Sequence, residues 1–405
     1  MWGRLCEWER QFYNGSMKLK HCPADFQVEE IPSISANQGE FAYYRLSKRG
    51  LGTPEAVAAV AQRWNVPMPR IAFGGLKDRH AETIQYLTIE RGPRRNLQQT
   101  NLELEYLGQV DRPYRSSDIT ANRFQITLRD LEAEEAQAMA AELPQAAEEG
   151  VANYFDAQRF GSLGESGEFM GAAWCRREHE RALWLALADS NSADRPRERA
   201  EREHLRQIWG DWPQCRRLPG PIGQVAEHLV ANPGDFRRAF ARLPQTTRRM
   251  QLEAFQSCVW NRMLAGWLRR RCRPEQLIET SLPGHHVVQY RRLDAAQRAE
   301  VRSGSLPLPS ARLHIEPGPV EELIREALQP TGLRLRDLQV DYPRDSFFSK
   351  GDRAMALWPE EVSHEVRPDD VYAGRWQLVL SFRLARGCYA TMLVRRLAVA
   401  AGQEA

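Results

Sequence analysis

The sequence lacks the features that mark secreted, zinc-binding or membrane-spanning proteins. Its seven cysteines form an odd set without CxxC spacing, which argues against a disulfide framework and against a zinc site. The longest apolar runs, such as 182-ALWLALA-188, are far shorter than a membrane span, and no basic head followed by an apolar run occurs near the N-terminus. We therefore expect a cytoplasmic protein with reduced cysteines and no membrane partner.

An excess of one charge sign is also missing, because 56 Lys and Arg residues nearly balance 53 Asp and Glu residues. With a formal net charge of +3, the chain is not a polycation, and a nucleic-acid partner would have to bind local basic patches. Such patches occur at 246-TTRRM-250, 268-LRRRCR-273 and 291-RRL-293. Charge runs of this length are also typical of solvated surfaces, so they do not by themselves indicate a function.

Conventional catalytic and metal-binding motifs are absent as well. The sequence has no HExxH, GxSxG, Walker A or strand-linked GxGxxG pattern. The glycines of 161-GSLGESG-167 are a weak phosphate-loop candidate, since surface turns have the same composition. His285 and His286 are adjacent and are expected to lie in a loop, a spacing that rarely places both imidazoles on one metal.

The hydrophobic pattern predicts strands and helices intermixed along the chain. The stretch 123-RFQITLRDL-131 alternates apolar and polar residues like a half-buried strand, and 132-EAEEAQAMAAEL-143 continues as a helix. The C-terminal region repeats this order in 376-WQLVLSFRL-384 and 390-ATMLVRRLAVAA-401. The composition changes between about 175 and 357, where charged and Pro/Gly-rich segments alternate, which predicts an inserted domain.

One aspartate is surrounded by positive charge in the stretch 74-GGLKDRHAETIQ-85. Asp78 lies between Lys77 and Arg79, in a predicted loop or strand edge, and an upstream helix is predicted to begin with Thr53 as its N-cap. The neighbouring cations would keep the pKa of this carboxyl low, which suits a nucleophile or an electrostatic stabiliser but not a general acid. From this stretch alone, a turn cap or a surface ion pair is the better explanation.

Aromatic and amide side chains are concentrated in 153-NYFDAQRFG-161, which includes Asn153 and Phe155. A splayed-out nucleobase needs an aromatic plane for stacking and polar partners for its Watson–Crick edge. An aromatic core segment explains the same composition equally well. Tyr389, in the turn 386-RGCYAT-391, lies beside small residues that would let a substrate approach.

Six motifs in a fixed order carry a resemblance to a known family. They are 20-KHCPADFQVEE-30, 74-GGLKDRHAETIQ-85, 122-NRF-124, 153-NYFDAQRFG-161, 256-QSCVWNRMLA-265 and 387-GCYATMLVRRL-397. Because it carries these motifs in this order, the sequence resembles the TruD family of tRNA pseudouridine synthases. The motifs extend over about residues 20 to 397, and together they are far more specific than any one of them.

The resemblance implies an α/β catalytic core of the pseudouridine-synthase type with a mixed or antiparallel sheet. This core would comprise residues 1–174 and 358–405, interrupted by an inserted TRUD domain at 175–357. The implied reaction is the isomerisation of a uridine in tRNA, at position 13 of the D arm in bacterial members, by detaching uracil from C1′ and rejoining it through C5. We expect tRNA as the partner, a monomeric protein, and neither a cofactor nor a metal.

The same resemblance implies the roles of individual residues. Asp78 corresponds to the catalytic aspartate of the family, and Lys20 to the basic residue that pairs with it. Lys77 and Arg79 are then interpreted as contacts to RNA phosphates.

Four further residues are implied to bind the substrate. Phe26, Asn153 and Tyr389 match positions that hold the target nucleotide, and Phe155 lies beside them in the aromatic cluster. Because the target uracil lies inside a folded RNA, it must be flipped out, and stacking would offset part of the unstacking cost of a few kcal/mol.

Some residues depart from the family pattern. Asp156 replaces a glycine, Ala24 a glutamate, Ala121 a glycine and Arg396 a glutamate. None of these departures falls on a position that the resemblance implies to be catalytic.

Two other function classes remain open. An RNA-binding protein or chaperone of the same fold, with little or no turnover, is the main alternative. The presence of both Asp78 and Lys20 favours an enzyme, since an RNA clamp needs no carboxylate facing a phosphate-rich ligand. A metal-dependent phosphohydrolase using His80 is a weaker hypothesis, because no further ligands have suitable spacing.

Overall fold

The computed structural model describes residues 17–191, 194–340 and 342–402, which form two compact units. Within these ranges, the first unit comprises residues 17–151 and 357–402, and the second comprises residues 152–356. The second unit thus begins earlier than the inserted domain predicted at 175–357 and ends within one residue of it. The two units are defined by their internal packing alone. The assignment of 175–357 as an inserted domain therefore stays a prediction.

Strands and helices alternate along the chain, so the predicted α/β class is confirmed. The strands are β1 (Lys18–Leu19), β2 (Phe26–Pro32), β3 (Phe41–Arg49), β4 (Ile71–Phe73), β5 (Glu82–Glu90), β6 (Leu97–Gln99), β7 (Leu102–Val110), β8 (Ile119–Leu131), β9 (Val151–Ala152), β10 (Leu277–Leu282), β11 (His285–Tyr290), β12 (Ser305–Pro307), β13 (Asp352–Ala354), β14 (Ala356–Leu357), β15 (Glu360–Pro368) and β16 (Trp376–Ala385). The helices are α1 (Thr53–Trp64), α2 (Ala133–Glu149), α3 (Met170–Cys175), α4 (His179–Leu187), α5 (Pro196–Gln207), α6 (Trp212–Cys215), α7 (Pro221–Ala231), α8 (Phe236–Phe240), α9 (Gln245–Arg271), α10 (Ala295–Ser303), α11 (Pro319–Leu328) and α12 (Ala390–Ala400). No helix in the described ranges is long and apolar enough to cross a membrane.

The first unit is built on a mixed ten-stranded sheet. Its main path runs β15-β16-β8-β2-β5-β3-β7-β6, and β1 and β4 pair with β8 and β5. The pair β2–β5 is parallel, whereas β2–β8 and β3–β5 are antiparallel. Helix α1 packs its apolar side on β3, β5 and β7, and α2 contacts α12, β15 and β16.

Strand β3 shows how residue alternation places one polar side chain on a core face. Ala42, Tyr44 and Leu46 are fully buried in the cluster that α1 covers. Because alternate residues of a strand share a face, Lys48 follows them on that face, where its side chain is only 3% exposed. The strand therefore ends with a buried cation at the edge of an apolar core.

The N-cap prediction for α1 was wrong by one residue. Gly52 is the N-cap, its N–H donates to Glu55 Oε2 at 3.0 Å, and Thr53 is the first helical residue. The Thr53 hydroxyl instead contacts β5 and the loop that follows β4, where it forms buried hydrogen bonds. The sequence predicted that this hydroxyl would cap its own helix. In the structure it bonds residues that are distant in the sequence.

The second unit is mainly helical and is organised around the long helix α9. Phe255, Trp260 and Leu264 of α9 are fully buried, and the helix contacts α3, α11 and the β10–β11 hairpin. A separate cluster that includes Leu205, Cys215 and Ile222 joins α5, α6 and α7. The cysteines at described positions are all free thiols.

The histidine pair lies in a strand, not in the predicted loop. His285 begins β11, is buried next to Asn261, and has its pKa lowered to about 3, chiefly by that burial. Neighbouring residues of a strand point to opposite faces, and His286 accordingly bonds Ser281 Oγ at 2.9 Å. The two imidazoles therefore cannot share a metal ion.

A buried ion pair joins α12 to α2. Arg396 is fully buried, with Nη2 at 2.7 Å from Glu142 Oε1 and 3.6 Å from Glu149 Oε2. This arginine is one of the departures from the family motif, and the two carboxylates on α2 provide its counter-charge. The departure is thus accommodated by local charge pairing.

Replacing this arginine tests the importance of the buried pair. We expect Arg396→Met to lower the free energy of unfolding by about 3–5 kcal/mol, because it leaves two carboxylates buried without their cation. Chemical denaturation followed by circular dichroism measures the change. Arg367→Met removes an exposed arginine paired with Glu365 at 3.5 Å and is the matched control, with an expected change within about 0.5 kcal/mol. Equal effects of the two substitutions would contradict the structural role assigned to Arg396.

Candidate active site

Asp78 lies in the loop between β4 and β5, as the sequence predicted. The chain leaves β4 through Gly74, where a Cβ atom would lie 2.7 Å from Ile119 Cδ1 and 2.9 Å from Tyr114 Cε1. Only glycine fits there without movement of these side chains. The close approach sets the path of the loop towards Asp78.

Buried polar side chains hold this loop in place. Thr53 Oγ1 accepts a hydrogen bond from Lys77 N–H at 2.8 Å and donates one to Gln85 Oε1 at 2.8 Å. Gln85 Nε2 in turn donates to Gly75 O at 3.5 Å. Thr53 and Gln85 are fully buried, and the bond between them is shielded from water, whereas the bonds to Lys77 and Gly75 are partly buried. The loop is therefore fastened to both α1 and β5.

A lysine from β3 contacts the same loop from the core side. Lys48 Nζ donates to Leu51 O at 2.5 Å, to Asp78 O at 3.0 Å and to Lys77 O at 3.5 Å. Burial lowers the pKa of Lys48 to about 8, while the Asp78 charge acts in the opposite direction. A buried cation thus lies against the backbone of Asp78.

The Asp78 carboxylate forms an ion pair with Lys20. Lys20 Nζ lies 3.0 Å from Asp78 Oδ2, with the lysine side chain 7% exposed and the aspartate side chain 26% exposed. The same ammonium lies 4.3 Å from the ring centroid of Phe26, a cation–π arrangement. Lys20 also has a left-handed backbone, with φ of 58°, which is uncommon for a residue other than glycine. Lys20, Phe26 and Asp78 therefore form one cluster with its carboxylate partly open to solvent.

The interpretation of Lys77 as an RNA-phosphate contact is wrong for its side chain in this structure. Lys77 Nζ lies 2.9 Å from Glu30 Oε1 and 3.0 Å from Asn122 Oδ1, and the Glu30 side chain is fully buried. A buried carboxylate requires a partner, and Lys77 supplies it. Arg79 contacts the Glu55 carboxylate at the surface, and its role towards RNA stays a prediction.

Tyr389 belongs to the same unit as Lys20, Phe26 and Asp78. It is half-buried and immediately precedes α12, as the N-cap residue of that helix. The turn before it uses Gly387 at φ 85°, a conformation that favours glycine. Tyr389 is thus fixed at the junction between a turn and a buried helix.

Asn153 and Phe155 belong to the second unit, where both contact Arg353. Arg353 Nη2 donates to Asn153 Oδ1 at 2.7 Å, and its guanidinium lies 4.1 Å from the Phe155 ring centroid. Asn261 on α9 holds the backbone of Phe155 through bonds of 2.9 and 2.8 Å to its N–H and C=O. Asn153 and Phe155 are 3% and 8% exposed. Their contacts are those of a packed structural segment, and their role in substrate binding stays a prediction.

Asp156, next to Phe155 in the sequence, has a backbone conformation that does not require glycine. Its φ of −89° is extended and open to any residue, so its replacement of the usual glycine causes no backbone strain. Tyr154 and Phe160 of this segment are fully buried, which confirms that part of it is aromatic core.

Sequence reasoning missed several residues that surround the candidate residues within each unit. Glu30, Gln85, Asn122 and Asn261 lie inside the quoted motifs, so their presence there was an available signal. Lys48, Thr53 and Arg353 lie outside every quoted motif. Among the residues that the structure describes, no three His, Cys, Asp or Glu side chains are arranged to hold a metal ion.

Comparisons with known proteins place the chain in a family. A family model described as tRNA pseudouridine synthase D (TruD) matches residues 14–397. This chain belongs to the TruD family. The matched range covers all six motifs, the whole of the second unit and all but the last five described residues of the first.

Relatives and a solved structure agree with TruD membership. The chain is 26% identical to "Probable tRNA pseudouridine synthase D 2" of Methanocaldococcus jannaschii, over 94% of this chain and 91% of the relative. It is 27% identical to "tRNA pseudouridine synthase D" of Aquifex aeolicus, over 94% of this chain and 98% of the relative. A crystal structure of a putative TruD from Methanosarcina mazei superimposes with a TM-score of 0.71, covering 96% of this chain and 94% of the other at 23% identity, which shows a TruD-type fold.

The hydroxyl of Thr53 is expected to control the mobility of the Asp78 loop. Thr53→Val preserves the side-chain shape but leaves the partly buried Lys77 N–H without its acceptor and the buried Gln85 Oε1 without its donor, a loss of about 1–3 kcal/mol. Hydrogen exchange of peptides covering residues 74–81 should become faster in this variant. Thr53→Ser keeps the hydroxyl and should exchange like the wild type. Unchanged protection in Thr53→Val would mean that other contacts suffice to hold the loop.

Proposed function

We propose that this chain is a tRNA pseudouridine synthase, an isomerase that converts a uridine of tRNA to pseudouridine. The observation that carries the proposal is the Asp78 carboxylate, paired at 3.0 Å with a buried lysine inside a TruD-family chain. The names of the curated relatives support tRNA as the substrate class. Position 13 of the D arm is the target that we expect.

The reaction rearranges bonds without net oxidation or reduction. The N1–C1′ bond of uridine breaks, the uracil turns, and a C5–C1′ bond forms. The proton on C5 is released, and N1 gains a proton. No co-reactant is required by this balance.

Asp78 is proposed as the nucleophile that attacks the sugar or the base; the bond that its carboxylate forms is broken again before the C5–C1′ product leaves, so the carboxylate is regenerated. Such a carboxylate must be ionised near neutral pH, and an adjacent ammonium favours the ionised form. Lys20 supplies that ammonium and also orients the carboxylate through its 3.0 Å contact. The partial exposure of the Asp78 side chain, 26%, supports access by a substrate.

The target uridine has to leave the RNA stack to reach this carboxylate. Unstacking costs a few kcal/mol, and aromatic contacts recover part of it. Tyr389 is proposed as the aromatic surface for the flipped base. Phe26 is also proposed to hold the target nucleotide; it is 5% exposed and lies against Lys20.

Asn153 and Phe155 complete the proposed substrate-binding set. Arg353 fixes the Asn153 carboxamide and covers one face of Phe155, so their orientation is set before substrate binds. The assignment of residues 1–174 and 358–405 to catalysis, with 175–357 as an inserted domain, is part of the same proposal. So are a monomeric state and a cytoplasmic location.

Unmodified tRNA transcripts provide the direct test. The purified protein is incubated with them, and pseudouridine is mapped chemically at single-nucleotide resolution. We expect one modified position in the D arm. An RNA-binding protein or chaperone of this fold would bind the transcripts and leave every uridine unchanged, which would refute the proposed activity.

Removing the Asp78 carboxylate should abolish turnover. We expect Asp78→Asn and Asp78→Ala to reduce pseudouridine formation by at least about 1,000-fold, because a covalent nucleophile is lost, while tRNA binding stays near the wild-type level. The control is Asp111→Asn, the same change at an exposed aspartate outside the site. A wild-type rate in Asp78→Asn would overturn the assigned mechanism.

Tyr389 variants separate the aromatic face from the hydroxyl. Tyr389→Ala should lower turnover by about 5- to 150-fold, corresponding to the loss of about 1–3 kcal/mol of base stacking. Tyr389→Phe retains the ring and should lose much less. Both variants are compared by single-turnover kinetics at saturating protein. Equal losses would assign the effect to the hydroxyl.

A further inference from the structure

We propose that Lys48 is a positioning residue whose cationic side chain holds the Asp78 loop in its catalytic geometry. This inference rests on the proposed role of Asp78. Lys48 lies outside the motifs that carry the family resemblance, and it acts on Asp78 through the backbone, in contrast to Lys20, which contacts the carboxylate.

The geometry of the contact matches the donor number of an ammonium group. A protonated lysine has three N–H donors, and three backbone carbonyl oxygens lie around Lys48 Nζ. Those of Leu51, Lys77 and Asp78 are at 2.5, 3.5 and 3.0 Å. Two of the carbonyls belong to the Asp78 loop and the third to the segment before α1. One cation therefore ties the loop to the end of β3.

Loss of the proton would remove part of this arrangement. A neutral amine has two N–H donors and a lone pair, so one of the three carbonyl oxygens would lose its donor and face a lone pair instead. The backbone of Asp78 or Lys77 would then have to move or leave a carbonyl unsatisfied. A small displacement of a catalytic group is sufficient to reduce the rate strongly.

The surroundings of Lys48 make this protonation state responsive to pH. The charged groups that face it are Asp78 and Lys77 on the loop, and Lys20 pairs with Asp78. Its strand neighbours, Thr83 on β5 and Leu102 on β7, are uncharged. Burial dominates and lowers the pKa of Lys48 to about 8, so the ammonium form is half titrated at about pH 8.

As the pH rises and Lys48 loses its proton, we expect its contribution to stability to increase and the activity to decrease. The pKa of Lys48 is lower in the folded chain, about 8, than the ordinary value of 10.5. The unfolded chain therefore binds more protons between these values, and the contribution of Lys48 to stability rises with pH across that window. Activity should fall over the same window if the ammonium positions Asp78. A purely structural lysine would not produce this divergence.

The test compares wild type, Lys48→Met and Lys48→Arg on one tRNA transcript between pH 6.5 and 9.5. We expect wild-type kcat to decline above about pH 8. Lys48→Met should lower kcat roughly 100-fold at pH 7, with KM for tRNA within about twofold, and should lack this decline. Lys48→Arg keeps its charge throughout and should retain part of kcat without the decline near pH 8.

Two controls isolate the effect of Lys48. Uracil itself loses a proton in alkaline solution, so the profile is taken as the ratio of wild type to Lys48→Arg on the same RNA. Lys350→Met removes an exposed lysine and should leave both kcat and its pH profile unchanged. Thermal unfolding of wild type and Lys48→Met across the same pH range tests whether the contribution of Lys48 to stability rises with pH while the activity falls.

The outcomes distinguish this inference from the proposed function. A wild type that forms no pseudouridine overturns both. A wild type that forms pseudouridine, together with a Lys48→Met variant within about twofold of its kcat, overturns only the role of Lys48. If Lys48→Met does not fold, the wild-type and Lys48→Arg profiles decide, and an identical alkaline decline in both contradicts the proposal.

Discussion

The cost of burying charge governs the arrangement around Asp78. A buried cation is tolerated only when it has an opposite charge or several acceptors. Three lysines meet this requirement in different ways. Lys20 pairs with Asp78, Lys77 with the buried Glu30, and Lys48 with three backbone carbonyls. Only the first of these pairs has a partly exposed carboxylate, so Asp78 differs from Glu30 in being accessible to solvent.

Within each unit, such contacts also bring separate stretches of sequence together. Lys77 joins Glu30 to Asn122, and so connects three of the six motifs through one ammonium group. In the second unit, Asn261 and Trp260 contact Phe155, which connects two further motifs. Residues far apart along the chain are thus coupled by buried polar and aromatic contacts. Loss of one partner would affect the others, because each partner satisfies a buried group.

Periodicity predicted much of the fold, whereas the candidate site residues were implied by the resemblance to a family. The alternating strands at 123–131 and 376–384 and the helices that follow them form β8, β16, α2 and α12. Local rules failed where a side chain is used in tertiary contacts. Thr53 had the right chemistry for an N-cap, but its hydroxyl bonds Gln85 and Lys77 instead.

Lys48 and Lys77 mark the limit of what the sequence could predict. The alternation of β3 places Lys48 on a core face, but the carbonyls that it contacts lie up to 30 residues away in the chain. The choice between phosphate and carboxylate as the partner of Lys77 depends on the burial of Glu30, which only the folded sheet determines. Ion pairs across a sheet require a known register, and charge patterning along one segment does not supply it.

The fully buried Arg396 has a consequence for the exchange of sequence among relatives. Where the family motif carries a glutamate at this position, a chain with Glu142 and Glu149 on α2 would bring three carboxylates together in the core. Such a combination is strongly disfavoured unless the carboxyls take up protons. Glutamate at position 396 is therefore compatible with this core only if the charges at 142 and 149 change with it, and a chimera that exchanges α12 alone would have a destabilised core.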